Sequence, residues 1–236
     1  MRTHKYAWFV AALAAVILTT PDFSMAQQPA AAERVAALKA SLAASQAALR
    51  QYEWIETTVV VVKDEEKSRT QKRCYYGADG KLTKVLLTQP APEPQKRGLR
   101  GKIAESKKEE MADYMHEAVN LVRQYVPPDQ ARIQAVKDAG KVSIQLIDPG
   151  KRARLTFSDY LKSGDSLAMD MDLTNNLPVA ANVNSYLDSQ KEPVMLLVKF
   201  GTLNEGITYV SGAVLDAPGK SLKVVIENSG YRKMGQ

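Results

Sequence analysis

Apolar positions near the start of the chain recur at helical spacing. Val35, Leu38, Leu42, Leu49 and Tyr52 follow one another at intervals of three, four, seven and three, with alanine filling most of the remainder. That period predicts a helix from Ala30 to about Tyr52 with a narrow apolar stripe. The pattern then changes to β-branched residues from Trp54 to Val62, which suit a pleated surface. Two further strands are expected, about Lys67 to Tyr76 and Lys81 to Leu87, joined through Gly77-Ala78-Asp79-Gly80. An Asp-Gly pair between two strand-like runs is a strong hairpin signal. Pro90, Pro92 and Pro94 follow at alternate positions and cannot continue a ladder, so residues 89–101 are expected to form an exposed, extended loop. Met111, Tyr114, Met115, Ala118, Leu121, Val122 and Tyr125 then mark one face of a helix from about Lys102 to Tyr125. Pro127-Pro128 stops it, and Pro128 with Asp129 starts a short third helix that ends at Gly140.

Beyond Gly140 the chain reads as strands. Turn signals fall at Asp148-Pro149-Gly150, Ser163-Gly164-Asp165, Asn175-Asn176, Ser189-Gln190-Lys191, Asn204-Glu205-Gly206 and Ala217-Pro218-Gly219. The two Pro-Gly pairs fit type II turns, in which proline presets the first central residue and glycine accepts positive φ at the second. These turns divide the segment into seven strands, about ten in all, and their short links predict antiparallel neighbours in a meander. Leu167, Met169, Met171 and Leu173 alternate with Ala168, Asp170, Asp172 and Thr174, and Leu155 and Phe157 alternate with Arg154, Thr156 and Ser158. One face of the sheet is therefore apolar and the other wet. The run from Val194 to Phe200 lacks the alternation, as a strand covered on both faces would. The fold expected is α+β: a curved antiparallel sheet of about ten strands, an unclosed half-barrel covering an N-terminal helix and two mid-chain helices. A sheet of that length tends to curl.

The first 26 residues change the inventory. Arg2 and Lys5 precede an apolar run from Trp8 to Leu18, Pro21 breaks it, and Ser24-Met25-Ala26 supplies small residues. This is the layout of a secretory signal with cleavage after Ala26, and the run is too short to span a bilayer. No Leu-x-Gly-Cys box accompanies it, so export to the periplasm as a single domain, residues 27–236, is expected. Cleavage shortens 236 residues to 210 and, with the loss of Arg2, Lys5 and Asp22, lowers the net charge from +6 to +5. It also leaves His116 as the one histidine beside a lone Cys74. Cys74 sits in the strand-like Arg73-Cys74-Tyr75-Tyr76 and reads as a buried, inert thiol.

That inventory excludes most chemistry. No Gly-x-Ser-x-Gly elbow, Gly-x-Gly-x-x-Gly fingerprint, phosphate loop or His-Glu-x-x-His motif is present, so no catalytic residue, metal or cofactor is expected. Asp170 and Asp172 share a strand face, which a wet outer surface explains as well as a carboxylate pair does. Two candidate sites remain. Leu167, Met169, Met171 and Leu173 on the sheet, with Tyr114 and Met115 on the helix above, form a methionine-rich apolar interior suited to an acyl chain. A filled core is the other reading of the same residues. Lys96, Arg97, Arg100 and Lys102, followed by Lys107 and Lys108, form a basic cluster suited to anionic headgroups or an acidic envelope partner. It equally fits a solvated loop. The cluster is not interleaved with aromatic residues, and no nucleic-acid partner is expected.

In this arrangement the chain resembles the periplasmic lipoprotein carrier and receptor superfamily (the Lol proteins). The stretches that carry the likeness are Ala30–Val62, the helices from Lys102 to Gly140 and the strands from Lys141 to Ile226. The closing Val225-Ile226-Glu227-Asn228-Ser229-Gly230-Tyr231 is similar to the final strand of exported relatives. The resemblance implies a non-enzymatic fold that binds a lipid or an acylated protein; no site residue is carried over from it.

Overall fold

The computed structural model describes residues 43–88, 99–126, 128–204 and 206–235. The chain runs from helix α1 (residues 43–49) into β1 (Tyr52–Val62), β2 (Glu65–Tyr76) and β3 (Leu82–Leu86). Helices α2 (Leu99–Val122) and α3 (Gln130–Asp138) follow, then β4 (Val142–Asp148), β5 (Arg152–Ser158), β6 (Ser166–Asp172), β7 (Leu177–Tyr186), β8 (Pro193–Thr202), β9 (Thr208–Ala217) and β10 (Leu222–Lys233). All ten strands form one antiparallel sheet in the order β3-β2-β1-β10-β9-β8-β7-β6-β5-β4. β3 and β4 are its edges, so the sheet does not close. This is the α+β half-barrel that the hydrophobic pattern predicts.

Local chemistry explains the turns. β1 and β2 meet at a two-residue link, Lys63-Asp64, both in the left-handed region at φ 54° and 60°. Positive φ at both central residues is the hairpin turn whose twist matches its strands. At Asp148-Pro149-Gly150 the expected type II turn forms: Gly150 sits at φ 75° and the Lys151 amide donates to the Asp148 carbonyl at 2.9 Å. The second Pro-Gly pair behaves differently. Pro218–Lys220 winds into a 3-10 turn, and Ser221, not Gly219, takes the left-handed conformation at φ 49°. Asp129 caps α3 by accepting from the Arg132 amide at 2.9 Å.

The core lies between the helices and the concave face of β5–β10. Tyr114, Ala118, Leu121 and Val122 from α2, with Ile133 and Val136 from α3, pack on Leu155, Phe157, Leu167, Met169, Val183, Val194 and Leu222. Four expectations need correction. Tyr52 belongs to β1, where it pairs with Lys233, because α1 ends before it. α2 stops at Val122, so Tyr125 lies in the following turn, although it is fully buried. Leu173 lies beyond the end of β6 and is 38% exposed. β8 is not covered on both faces: Val194 and Val198 are buried, while Lys199 is exposed. Residues 30–42 of the expected first helix lie outside the described residues.

Candidate functional site

Strand parity separates two regions of the concave face. In the first, β6 presents Leu167, Met169 and Met171 at 0–2% exposure beneath α2 and α3. Tyr114 is buried over the same core and Met115 packs against it half-buried. The structure therefore brings together five of the six residues expected to line an apolar interior, and leaves Leu173 in the β6–β7 turn. This floor is filled by protein: Tyr125, Phe157 and Ile133 are among its largest buried side chains.

The second region is the rim. On β3, Leu82 and Leu86 are 43% and 47% exposed; on β4, Ile144 and Leu146 are 48% and 59% exposed. Ladder partners place all four on the concave side. Ile144 and Leu146 pair with the inward Leu155 and Ala153 of β5. Leu82 and Leu86 pair with Tyr76 and Lys72 on the β2 face that continues through Glu56 of β1 to Val60 and Val62 of the core. The spacing of Leu82 and Leu86 on one strand face and the alternation Ile144-Gln145-Leu146 are visible in the sequence, but which strands become edges is not.

Next to β3 the concave face carries aromatic and ionic groups. Trp54 stacks on Tyr231 with ring centres 5.5 Å apart and contacts Tyr76 at 6.0 Å. Gly230, at φ 63°, places an extra residue in β10 opposite β1, and this bulge sets Tyr231 against Trp54. Tyr209 joins Tyr231 at 4.4 Å, beyond the last β9–β10 pair, Gly212 and Glu227. Glu56 is paired with Lys84, and Cys74 is fully buried beside them. Burial raises the Cys74 thiol above its ordinary value, and burial likewise raises the Tyr231 hydroxyl.

The remaining sequence candidates fall apart as a catalytic set. Asp170 binds Arg154 through two bonds of 2.6 and 2.8 Å, on the convex face. Asp172 accepts from the Thr174 amide at 2.8 Å and orders the β6–β7 turn. His116 is exposed on α2. No group of three His, Cys, Asp or Glu side chains among the described residues is arranged to hold a metal ion. Arg100 and Lys102 lie in the first turns of α2; Lys96 and Arg97 lie outside the described residues.

Two surface depressions complete the picture. A groove of about 290 Å³ crosses β8–β10 where Gly212 leaves a gap between Leu197, Val214 and Val225. A cleft of about 270 Å³ lies between α2 and the β7–β8 turn, lined by Glu110, Asp113, Tyr114, Glu117, Asp188, Glu192 and Lys220. No motif signals this cleft, because its residues come from three separate parts of the chain. No described helix is long and apolar enough to cross a membrane.

No family model matches the chain, and no curated protein matches it. Two solved structures are similar to it. One is a DUF1329 family protein from Desulfovibrio piger, 12% identical, with a TM-score of 0.34 over 84% of this chain and 94% of that one. The other is a LolA superfamily protein from Nitrosomonas europaea, 13% identical, with a TM-score of 0.32 over the same shares of the two chains.

Proposed function

We propose that this is an exported, non-enzymatic binding protein of the periplasm that holds a lipid or acyl chain along the concave face of its half-barrel, in the handling of outer-membrane lipoproteins. One observation carries the reading: four large apolar side chains, Leu82, Leu86, Ile144 and Leu146, stand about half exposed on the concave rim. Exposed apolar surface beside a cleft or groove marks a surface built to be covered. Covering each such side chain returns on the order of 1 kcal/mol. An acyl chain is long, apolar and flexible enough to follow a curved rim, and the half-buried Met111 and Met115 of α2 adapt to such a ligand.

Native mass spectrometry of protein purified from a bacterial periplasm tests it. A co-purifying lipid adduct, removed by delipidation, is expected; identical masses before and after delipidation would count against it. In the chain beginning at Gln27, Trp54 is the one tryptophan. A brominated dodecanoate bound on the concave face should therefore quench its fluorescence saturably.

A second reading is favoured by the filled floor under α2 and α3. There the protein is an envelope interaction or sensor protein acting through its outer face or the basic 96–108 segment. Neutralising Lys96, Arg97, Arg100 and Lys102 together would then weaken capture of an envelope partner, and unchanged capture would sink that reading.

A further inference from the structure

The cleft between α2 and the β7–β8 turn borders the filled core, with which it shares Tyr114, and differs from the rest of the molecule in charge. Glu110, Asp113 and Glu117 line it at helical spacing from α2, and Asp188 and Glu192 line it from the turn. The turn is held by the Glu192 amide, which donates to the Ser189 carbonyl at 2.9 Å. Five carboxylates thus face one ammonium, that of Lys220, among the described residues of the cleft, in a chain whose net charge is +6. Such a concentration of one sign between low-dielectric walls focuses the field on a counter-ion.

A second observation points to an occupant. Tyr114 is 8% exposed and lines the cleft, yet its hydroxyl has no hydrogen-bond partner among the described residues. A buried hydroxyl in that state costs free energy, which a donor entering the cleft would recover. Burial, with the negative charges of Glu192 and Glu117 added to it and the charge of Lys220 opposing, raises this hydroxyl above its ordinary value. Lys220 already shows what the cleft accepts: its Nζ lies 3.0 Å from Glu110 and 5.5 Å from the centre of the Tyr114 ring.

We propose that this cleft is a binding site for one organic cation, an alkylammonium or guanidinium group, whose N–H donors bond the Tyr114 hydroxyl and the Glu192 and Glu117 carboxylates. A metal ion does not fit, since no three of these carboxylates converge on one point. A volume of about 270 Å³ matches a single amine-bearing group rather than a whole lipid. Lys220 is the built-in competitor: it holds Glu110 and must share the cleft with the incoming cation.

Calorimetric titration at low ionic strength tests the site, with agmatine, choline and the peptide acetyl-Gly-Arg-Gly-amide as probes. Agmatine should bind saturably one to one, and choline, which has no N–H donor, about tenfold or more weaker. Tyr114→Phe, which removes only the hydroxyl, and Glu192→Gln, at a surface turn, should each weaken agmatine about tenfold; Lys220→Met should strengthen it by a similar factor. The peptide binding more tightly than agmatine would assign the cation to a basic side chain of a partner, and the reverse to a free amine. Absence of saturable binding overturns the proposal. So does agmatine binding that matches choline and is unmoved by Tyr114→Phe and Glu192→Gln.

Discussion

The Tyr125 hydroxyl donates to the Asp165 carboxylate and lies 2.7 Å from Ser185 Oγ, tying the segment after α2 to the β5–β6 loop and to β7. Tyr125 is fully buried and Asp165 is 3% exposed, so this is a polar anchor set within the apolar core. Asp165 also accepts from the Leu161 and Lys162 amides, at 3.2 and 2.8 Å. Tyr125→Phe removes a charge-assisted bond from a buried carboxylate and should cost about 2 kcal/mol in urea unfolding. Tyr114→Phe provides the contrast. Its hydroxyl has no partner among the described residues, so stability should be unchanged or rise by up to about 1 kcal/mol. Equal losses for the two variants would contradict the assignment of partners.

Alkaline pH should unfold the protein earlier than an average domain. Burial raises the hydroxyls of Tyr114, Tyr125, Tyr160 and Tyr231 above the ordinary value of 10.0. A group raised in the folded state contributes its full stability below its unfolded value and loses it as pH climbs above that value. Above pH 10 the unfolded chain therefore releases protons that the folded chain retains, and each such tyrosine removes about 1.4 kcal/mol per pH unit. Urea midpoints should begin to fall near pH 9, where the unfolded Cys74 thiol ionises and the buried one does not, and fall steeply beyond pH 10. Tyr125→Phe should make that fall shallower.

Cys74 should be inert until the sheet opens. It is fully buried between Trp54 and Lys84 in the ladder, and burial raises its thiol, so little thiolate forms near neutral pH. Alkylation by iodoacetamide should be on the order of 100-fold slower in the native protein than in the urea-unfolded chain. Comparable rates in the two states would mean that β2 opens far more readily than its buried ladder implies.

The rim and the floor should respond oppositely to substitution. Leu82→Asp, at a position 43% exposed and paired with Tyr76 beside Trp54, should change stability by less than about 1 kcal/mol and abolish quenching of Trp54 by brominated dodecanoate. Met169→Ala, at 2% exposure, should cost 2–5 kcal/mol through the cavity it leaves. Retained quenching in Leu82→Asp would place the ligand elsewhere.

The convex-face ion pair should carry no function. Asp170→Asn breaks the two bonds from Arg154, whose side chain is 40% exposed, and should cost no more than about 1 kcal/mol. Lipid capture should be unaffected, as measured by the same mass-spectrometric assay.

Much of the architecture is legible along the chain because it rests on local chemistry. The Asp-Gly link, the Asp148-Pro149-Gly150 turn, the Asp129 cap and the alternation through Leu155-Phe157 and Leu167-Met169-Met171 each act within a few residues. The failures have the same origin. Leu173 continues an alternating pattern past the point where Asp172 and Asn175 build a turn, and Tyr52 continues a helical stripe past the end of α1.

Sequence by itself thus determined the number of strands, their antiparallel meander and the apolar face they share, since strand period and turn residues are short-range properties. Tertiary structure alone decided the rest. That β1 pairs with β10 while β3 and β4 stay as edges depends on contacts across 160 residues or more. That pairing separates the buried Met169 from the exposed Leu146, although both sit in alternating apolar runs. The same folding draws Glu110, Tyr114, Glu192 and Lys220 into one cleft. Burial and the convergence of charge are properties of what lies opposite a residue in space, and no window of neighbouring positions contains that partner.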